Sequence, residues 1–207
     1  MRIEKIRTKT HQVAYVVERS EYDAHPPVPS LLVDALPNAI NPELEAVALF
    51  LIFGRWCGGE FTTPQKMGPN TAAAITRYSD IDLFCGPIEF YPKPLNLGTK
   101  IIRLGTSIND LHANSFVALE ANEWNGSMRS TDSLVVSSNY SMFQANENDV
   151  LPLIGVALLY AETLGADQFK LPGSDKDSLQ QIRDLLLEVR IGLKAVSYTH
   201  LTLPTKR

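Results

Sequence analysis

Between Asn41 and Gly54 the chain reads NPELEAVALFLIFG, and this segment most limits what it can fold into. Asn41 is a good N-cap, Pro42 suits the first helical position, and Glu43 and Glu45 lie in the first turn where the helix dipole favours anions. Gly54 ends the run. The apolar residues go all the way round, so a helix here has no face to give to water. It must lie at the centre of the molecule, with other layers packed around it. The chain can supply them: 44% of its 207 residues are hydrophobic and 20% are charged, which excludes wholesale disorder.

The rest of the sequence reads as α/β: an N-terminal mixed α+β region, residues 1–128, then a βαβα parallel unit, residues 129–194. Arg2–Thr8 and Val13–Val17 have strand-like composition. Tyr22–Pro37 holds four prolines and should be mostly extended, with a short turn at Leu31–Ala35. A second short helix is expected after Pro69-Asn70. Ile81–Phe84, Ile88–Tyr91, Lys100–Leu104 and Phe116–Leu119 read as strands between Gly- and Pro-marked turns. In the last part, Leu134–Ser137 is a strand, Asp149–Leu164 a helix closed by Gly165, and Gln168–Leu171 a strand. A final amphipathic helix is expected to align Leu179, Ile182, Leu186, Val189 and Leu193 on one face.

Several function classes are disfavoured. The formal charge of −4 and the absence of a basic run argue against nonspecific binding to nucleic acid or an acidic membrane. The longest apolar run is too short to span a bilayer. The N-terminus has no apolar signal core, and the two cysteines, Cys57 and Cys85, have no CxxC pairing. Both point to a cytoplasmic protein. His11, His25 and His112 show no metal-ligand spacing, so no metal site is expected.

In open parallel sheets, ligands sit beyond the carboxyl ends of the strands, where helix N-termini converge. Two loops leave such ends. One runs from Ser137, Ser138 and Asn139 through Asn146 and Glu147; the other is Gly173, Ser174 and Asp175. Their hydroxyls, amides and backbone N–H groups could hold a nucleotide or other small molecule, although these residue types also favour caps and turns. A second candidate is the loop Arg55–Asn70, with Arg55, Cys57, Glu60 and Lys66. Arg55 and Lys66 suit an anion, and Cys57 a nucleophile, though no histidine lies near it in sequence. Gly58-Gly59-Glu60-Phe61 is one residue short of the GGDEF-type hairpin and is read as a Gly-rich turn.

The segment NENDVLPLIGVALLYAETLGADQFKLP, Asn146–Pro172, resembles the second conserved segment of the 7-cyano-7-deazaguanine synthases, which are N-type ATP pyrophosphatases. Ala161-Glu162 and Leu164-Gly165-Ala166-Asp167 carry the likeness. Asn146-Glu147-Asn148 stands where the family has an Arg-Asn pair. The family's SGGxDS loop between first strand and helix is absent; Ser130-Thr131-Asp132-Ser133 echoes it but precedes a strand. The resemblance implies a nucleotide- or nucleobase-handling protein, with ATP and magnesium as the family's cofactors. The alternatives are a noncatalytic accessory or subunit-interaction module, with a protein partner or a second copy, and a hydrolase or transferase using the Arg55–Asn70 loop. The end of the chain, Val196–Thr205, resembles a translated sequencing adapter. Residues 196–207 are therefore expected to be an artefactual tail on a chain truncated near Lys194.

Overall fold

A computed structural model describes residues 1–8, 12–79, 81–96, 98–121, 125–172 and 179–196. Among these, eleven strands form one sheet with the order β11-β10-β6-β7-β9-β3-β2-β1-β4-β5, and β8 adds to β9. The strands are β1 (Arg2–Arg7), β2 (Gln12–Glu18), β3 (Ser30–Asp34), β4 (Glu60–Met67), β5 (Phe84–Ile88), β6 (Lys100–Gly105), β7 (Ser115–Glu120), β8 (Ser127–Arg129), β9 (Ser133–Ser138), β10 (Ala166–Pro172) and β11 (Gly192–Val196). The helices are α1 (Pro42–Phe53), α2 (Pro69–Ser79), α3 (Leu151–Leu158), α4 (Ala161–Leu164) and α5 (Gln180–Glu188).

The α/β reading holds, with parallel pairing across β11-β10-β6-β7-β9 and across β1-β4-β5. The antiparallel strands β3 and β2 link the two parallel groups. The sheet does not break near residue 128. β6 and β7, from the expected N-terminal region, are central strands of the C-terminal parallel group, because β10 returns to the free side of β6.

Helix α1 is where its sequence requires it to be. Asn41 Oδ1 accepts the Glu43 N–H, and every residue from Glu43 to Phe53 is buried. The helix packs on α3 and β4. At Gly155 the approach is so close that a Cβ would lie 2.7 Å from Ile52 Cγ1 and 2.8 Å from the Ala48 carbonyl. α2 packs on the edge strand β5 and α5 on the opposite edge strand β11, yet α2 and α5 touch each other. The sheet therefore curls around α1. Its helix-facing side buries Ile102, Leu104, Phe169, Leu171 and Leu193, while Ile101, Arg103 and Lys194 lie on its exposed side. The connections β6–β7 and β7–β9 contain no α-helix among the described residues, yet successive residues of β7 and β9 are buried on both faces.

Several elements differ from expectation. Leu31–Asp34 belongs to strand β3, because β2 and β9 supply it with partners on both sides. The expected Arg55–Asn70 loop contains β4, flanked by β1 and β5. Asp149–Leu164 is broken into α3 and α4 by a tighter turn, where Leu159 and Tyr160 bond three residues back. Tyr160 is held there by its hydroxyl, which donates to the Asp34 carbonyl at 2.6 Å. The last helix stops at Glu188, Arg190 takes a positive φ of 57°, and Leu193 is in strand β11. Of the expected tail, Val196 ends β11 and residues 197–207 lie outside the described ones.

Candidate functional site

In chain order β6, β7 and β9 step one way across the sheet, and β10 and β11 step the other way. The reversal falls between β6 and β10. In an open parallel sheet that is where loops diverge and leave a crevice. The first loop at this edge follows β6. Asp110 Oδ2 accepts the N–H groups of Thr106 and Ser107, each at 3.0 Å, and Ser107 Oγ accepts the Asn109 N–H. Gly105 permits this fold: a Cβ on it would lie 2.3 Å from Asp110 Cβ and 2.9 Å from Oδ2. Two backbone donors that could cradle a phosphate are thus already bound to a carboxylate of the chain itself.

The neighbouring strand ends add more acid and hydroxyl. Glu120 ends β7, and its Oε2 accepts the Ser141 hydroxyl. Tyr140 follows β9 and is buried. Its phenol is pushed above its ordinary range, first by burial and then by the negative charges of Glu120 and Asp110. Asp110, Glu120, Tyr140 and Ser141 therefore share one acidic edge, with Asp110 and Glu120 half-buried. Ser137 and Ser138, beneath it, are fully buried, and neither hydroxyl has a hydrogen-bond partner among the described residues.

Asn139 has a different position from its neighbours. Its Oδ1 accepts the Leu32 N–H at 2.8 Å, and its Nδ2 donates to the Ser30 carbonyl at 3.0 Å. Its amide is thus taken up in joining β3 to β9. Asn146 accepts the Asn148 N–H, and both it and Glu147 are exposed in a turn. Gly173, Ser174 and Asp175 lie outside the described residues.

The second candidate group does not converge. Arg55 pairs with Asp149 and stacks 5.3 Å from the centre of the Trp56 ring. Cys57 is buried, 3.7 Å from Met1 Sδ, and its thiol is pushed up to about 12, chiefly by burial. A thiol held protonated in this way is a poor nucleophile. Glu60 and Lys66 are exposed on β4. Among the described residues no three His, Cys, Asp or Glu side chains group as a metal site. None of the described helices is long and apolar enough to cross a membrane.

A cleft of 1040 Å³ lies elsewhere, between β1 and β4. These strands meet at one pair, Arg2 and Thr62. The next donor that the parallel ladder needs, toward the Ile3 carbonyl, is Pro64, which has no N–H. The strands fork there. Beneath the fork, the fully buried Glu45 accepts from Tyr15 Oη at 2.6 Å, Lys5 Nζ at 2.8 Å and Gln65 Nε2 at 2.7 Å. With both oxygens so engaged, the cluster serves as a closed polar core under the cleft. Sequence reading did not single out Asp110 or Glu120. The usable signal was their position just past, or at, the ends of the strands at 100–104 and 116–119.

No family of known proteins, curated protein or solved structure matches the chain. The fold and the acidic edge define it as an α/β protein with an acidic carboxyl edge on its parallel strands.

Proposed function

We propose that this protein binds a nucleobase or nucleoside at the carboxyl edge of β6, β7 and β9, and that it recognises the base by its N–H donors and leaves any polyphosphate unbound. The observation that carries this reading is the chemistry of the edge. Asp110 already occupies the N–H groups of Thr106 and Ser107, and Glu120 and Tyr140 add acceptors and negative potential. Phosphate is repelled by such an edge, whereas the adjacent N–H groups of a guanine-type base match carboxylate acceptors. The resemblance of Asn146–Pro172 to the deazaguanine synthases favours the same ligand class. That segment runs from the loop after β9 across to β10, at the reversal point of the sheet. The absence of an SGGxDS loop agrees with a site that does not activate its ligand with ATP. Calorimetric titration tests the reading: guanosine should bind saturably, ATP should bind no tighter, and Glu120→Gln should weaken guanosine about tenfold or more. ATP binding that far exceeds guanosine binding would overturn it.

A second reading is a noncatalytic interaction module. The fork between β1 and β4 favours it, because Pro64 ends the ladder and leaves strand edges facing the cleft. An extended segment of a partner protein is the occupant such edges suit.

A further inference from the structure

A second cavity, 330 Å³, lies where α2, the end of α5 and the segment 90–95 meet. Glu43 is at its wall. This residue is only 6% exposed, and one of its oxygens, Oε1, accepts the Gly68 N–H at 2.8 Å. The other, Oε2, is buried and has no hydrogen-bond partner among the described residues. A buried carboxylate oxygen without a donor is costly, so its retention points to a donor arriving from outside the chain.

The space beside this carboxylate is kept open by a glycine. A Cβ on Gly68 would lie 3.1 Å from Glu43 Oε1, 3.3 Å from Oε2 and 3.2 Å from Pro92 Cγ. The remaining wall is mixed: Phe90, Pro92, Pro94 and Leu95 are apolar, while Asn70, Thr71 and the exposed Lys93 are polar. The rim carries Arg190, exposed and with no side-chain partner among the described residues, while Glu188 is paired with Arg77 at 3.2 Å. One donor-seeking oxygen, a rim that carries the cations Arg190 and Lys93, and apolar side chains beside them complement a small zwitterion.

We propose that this cavity binds a free α-amino acid with an apolar side chain. Its ammonium donates to Glu43 Oε2, its carboxylate faces Arg190, and its side chain lies against Phe90, Pro92 and Pro94. The volume is at the lower end of the range for small-molecule sites and suits a ligand of this size.

The test is calorimetric titration of the full chain with L-phenylalanine and L-leucine, alongside phenethylamine, which lacks the carboxylate, and 3-phenylpropionate, which lacks the amine. At least one amino acid should bind saturably, and both analogues should bind about tenfold more weakly or not at all. Glu43→Gln keeps an acceptor for the Gly68 N–H but presents an amide donor in place of Oε2. It should abolish binding without lowering the melting temperature. Gly68→Ala fills the space with a methyl group and should abolish binding too, which keeps the test open if one variant fails to fold. The proposal is overturned if neither amino acid binds, if Glu43→Gln binds as the parent does, or if phenethylamine binds as tightly as phenylalanine.

Discussion

Asp23 shows how much one buried side chain carries. It lies in the Pro-rich stretch that reads only as extended chain. In the structure its side chain is fully buried and pairs with the Met1 ammonium at 2.8 Å. Its carboxylate also accepts from Gly58 N–H and from the Ser20 N–H and hydroxyl. Burial pushes its pKa up, but the ammonium and these hydrogen bonds outweigh burial and hold it below the usual value. A lowered folded pKa gives stability that is present above the unfolded value, about 4, and is lost as pH falls through the folded value. Asp23→Asn should therefore cost about 3 kcal/mol near neutral pH, and the deficit should shrink in acid. Urea unfolding at neutral pH and near pH 3 checks this; a deficit independent of pH would contradict it. Cys57 and Cys85 are both buried with raised thiol pKa values, chiefly from burial. Neither should react with a disulfide reagent in the native protein at mildly alkaline pH, and both should react once it is unfolded. Rapid native labelling of Cys57 would revive it as a nucleophile.

At the level of elements, one weak seam is the junction of β3 with β9. The ladder there has a single pair, Val33 with Ser138, and the Asn139 amide extends it by bonding Leu32 and Ser30. Asn139→Ala should destabilise the protein by about 2 kcal/mol, with early loss of hydrogen-exchange protection at Leu32. A change under about 0.5 kcal/mol would mean the seam holds without it. Close packing sets a second expectation. Gly155→Ala would drive a methyl group toward the Ala48 carbonyl and Ile52, at a cost of about 1–3 kcal/mol in thermal unfolding. α1 was legible in the sequence because its caps and its all-round apolar character are local signals. β3 and β4 were not, because Pro29, Pro64 and the paired glycines before β4 are local turn signals that long-range pairing overrides. Leu193 fitted a helical face, yet β10 offers a parallel partner that draws it into β11.

On the scale of the whole molecule, one sheet curls around α1, with a cleft where β1 and β4 part and an acidic edge at the ends of β6, β7 and β9. The carboxyl-edge principle led to Ser137, Ser138 and the loop after β9, of which Ser137 and Ser138 are buried at the end of β9 and the Asn139 amide is bonded to β3. It did not lead to Asp110 or Glu120. Nothing local in the sequence says that β10 returns beside β6, and only that return places the loop after β6 at the reversal point. The acidic character of this edge is the central claim, since it decides between a base and a phosphate. The most direct measurement is amide chemical-shift mapping of the isotope-labelled protein with guanosine. The expected shifts cluster at 105–110, 119–121 and 138–141, with saturation and with no larger effect from ATP. Shifts that cluster around the β1–β4 fork instead, or no shifts at all, would contradict the claim.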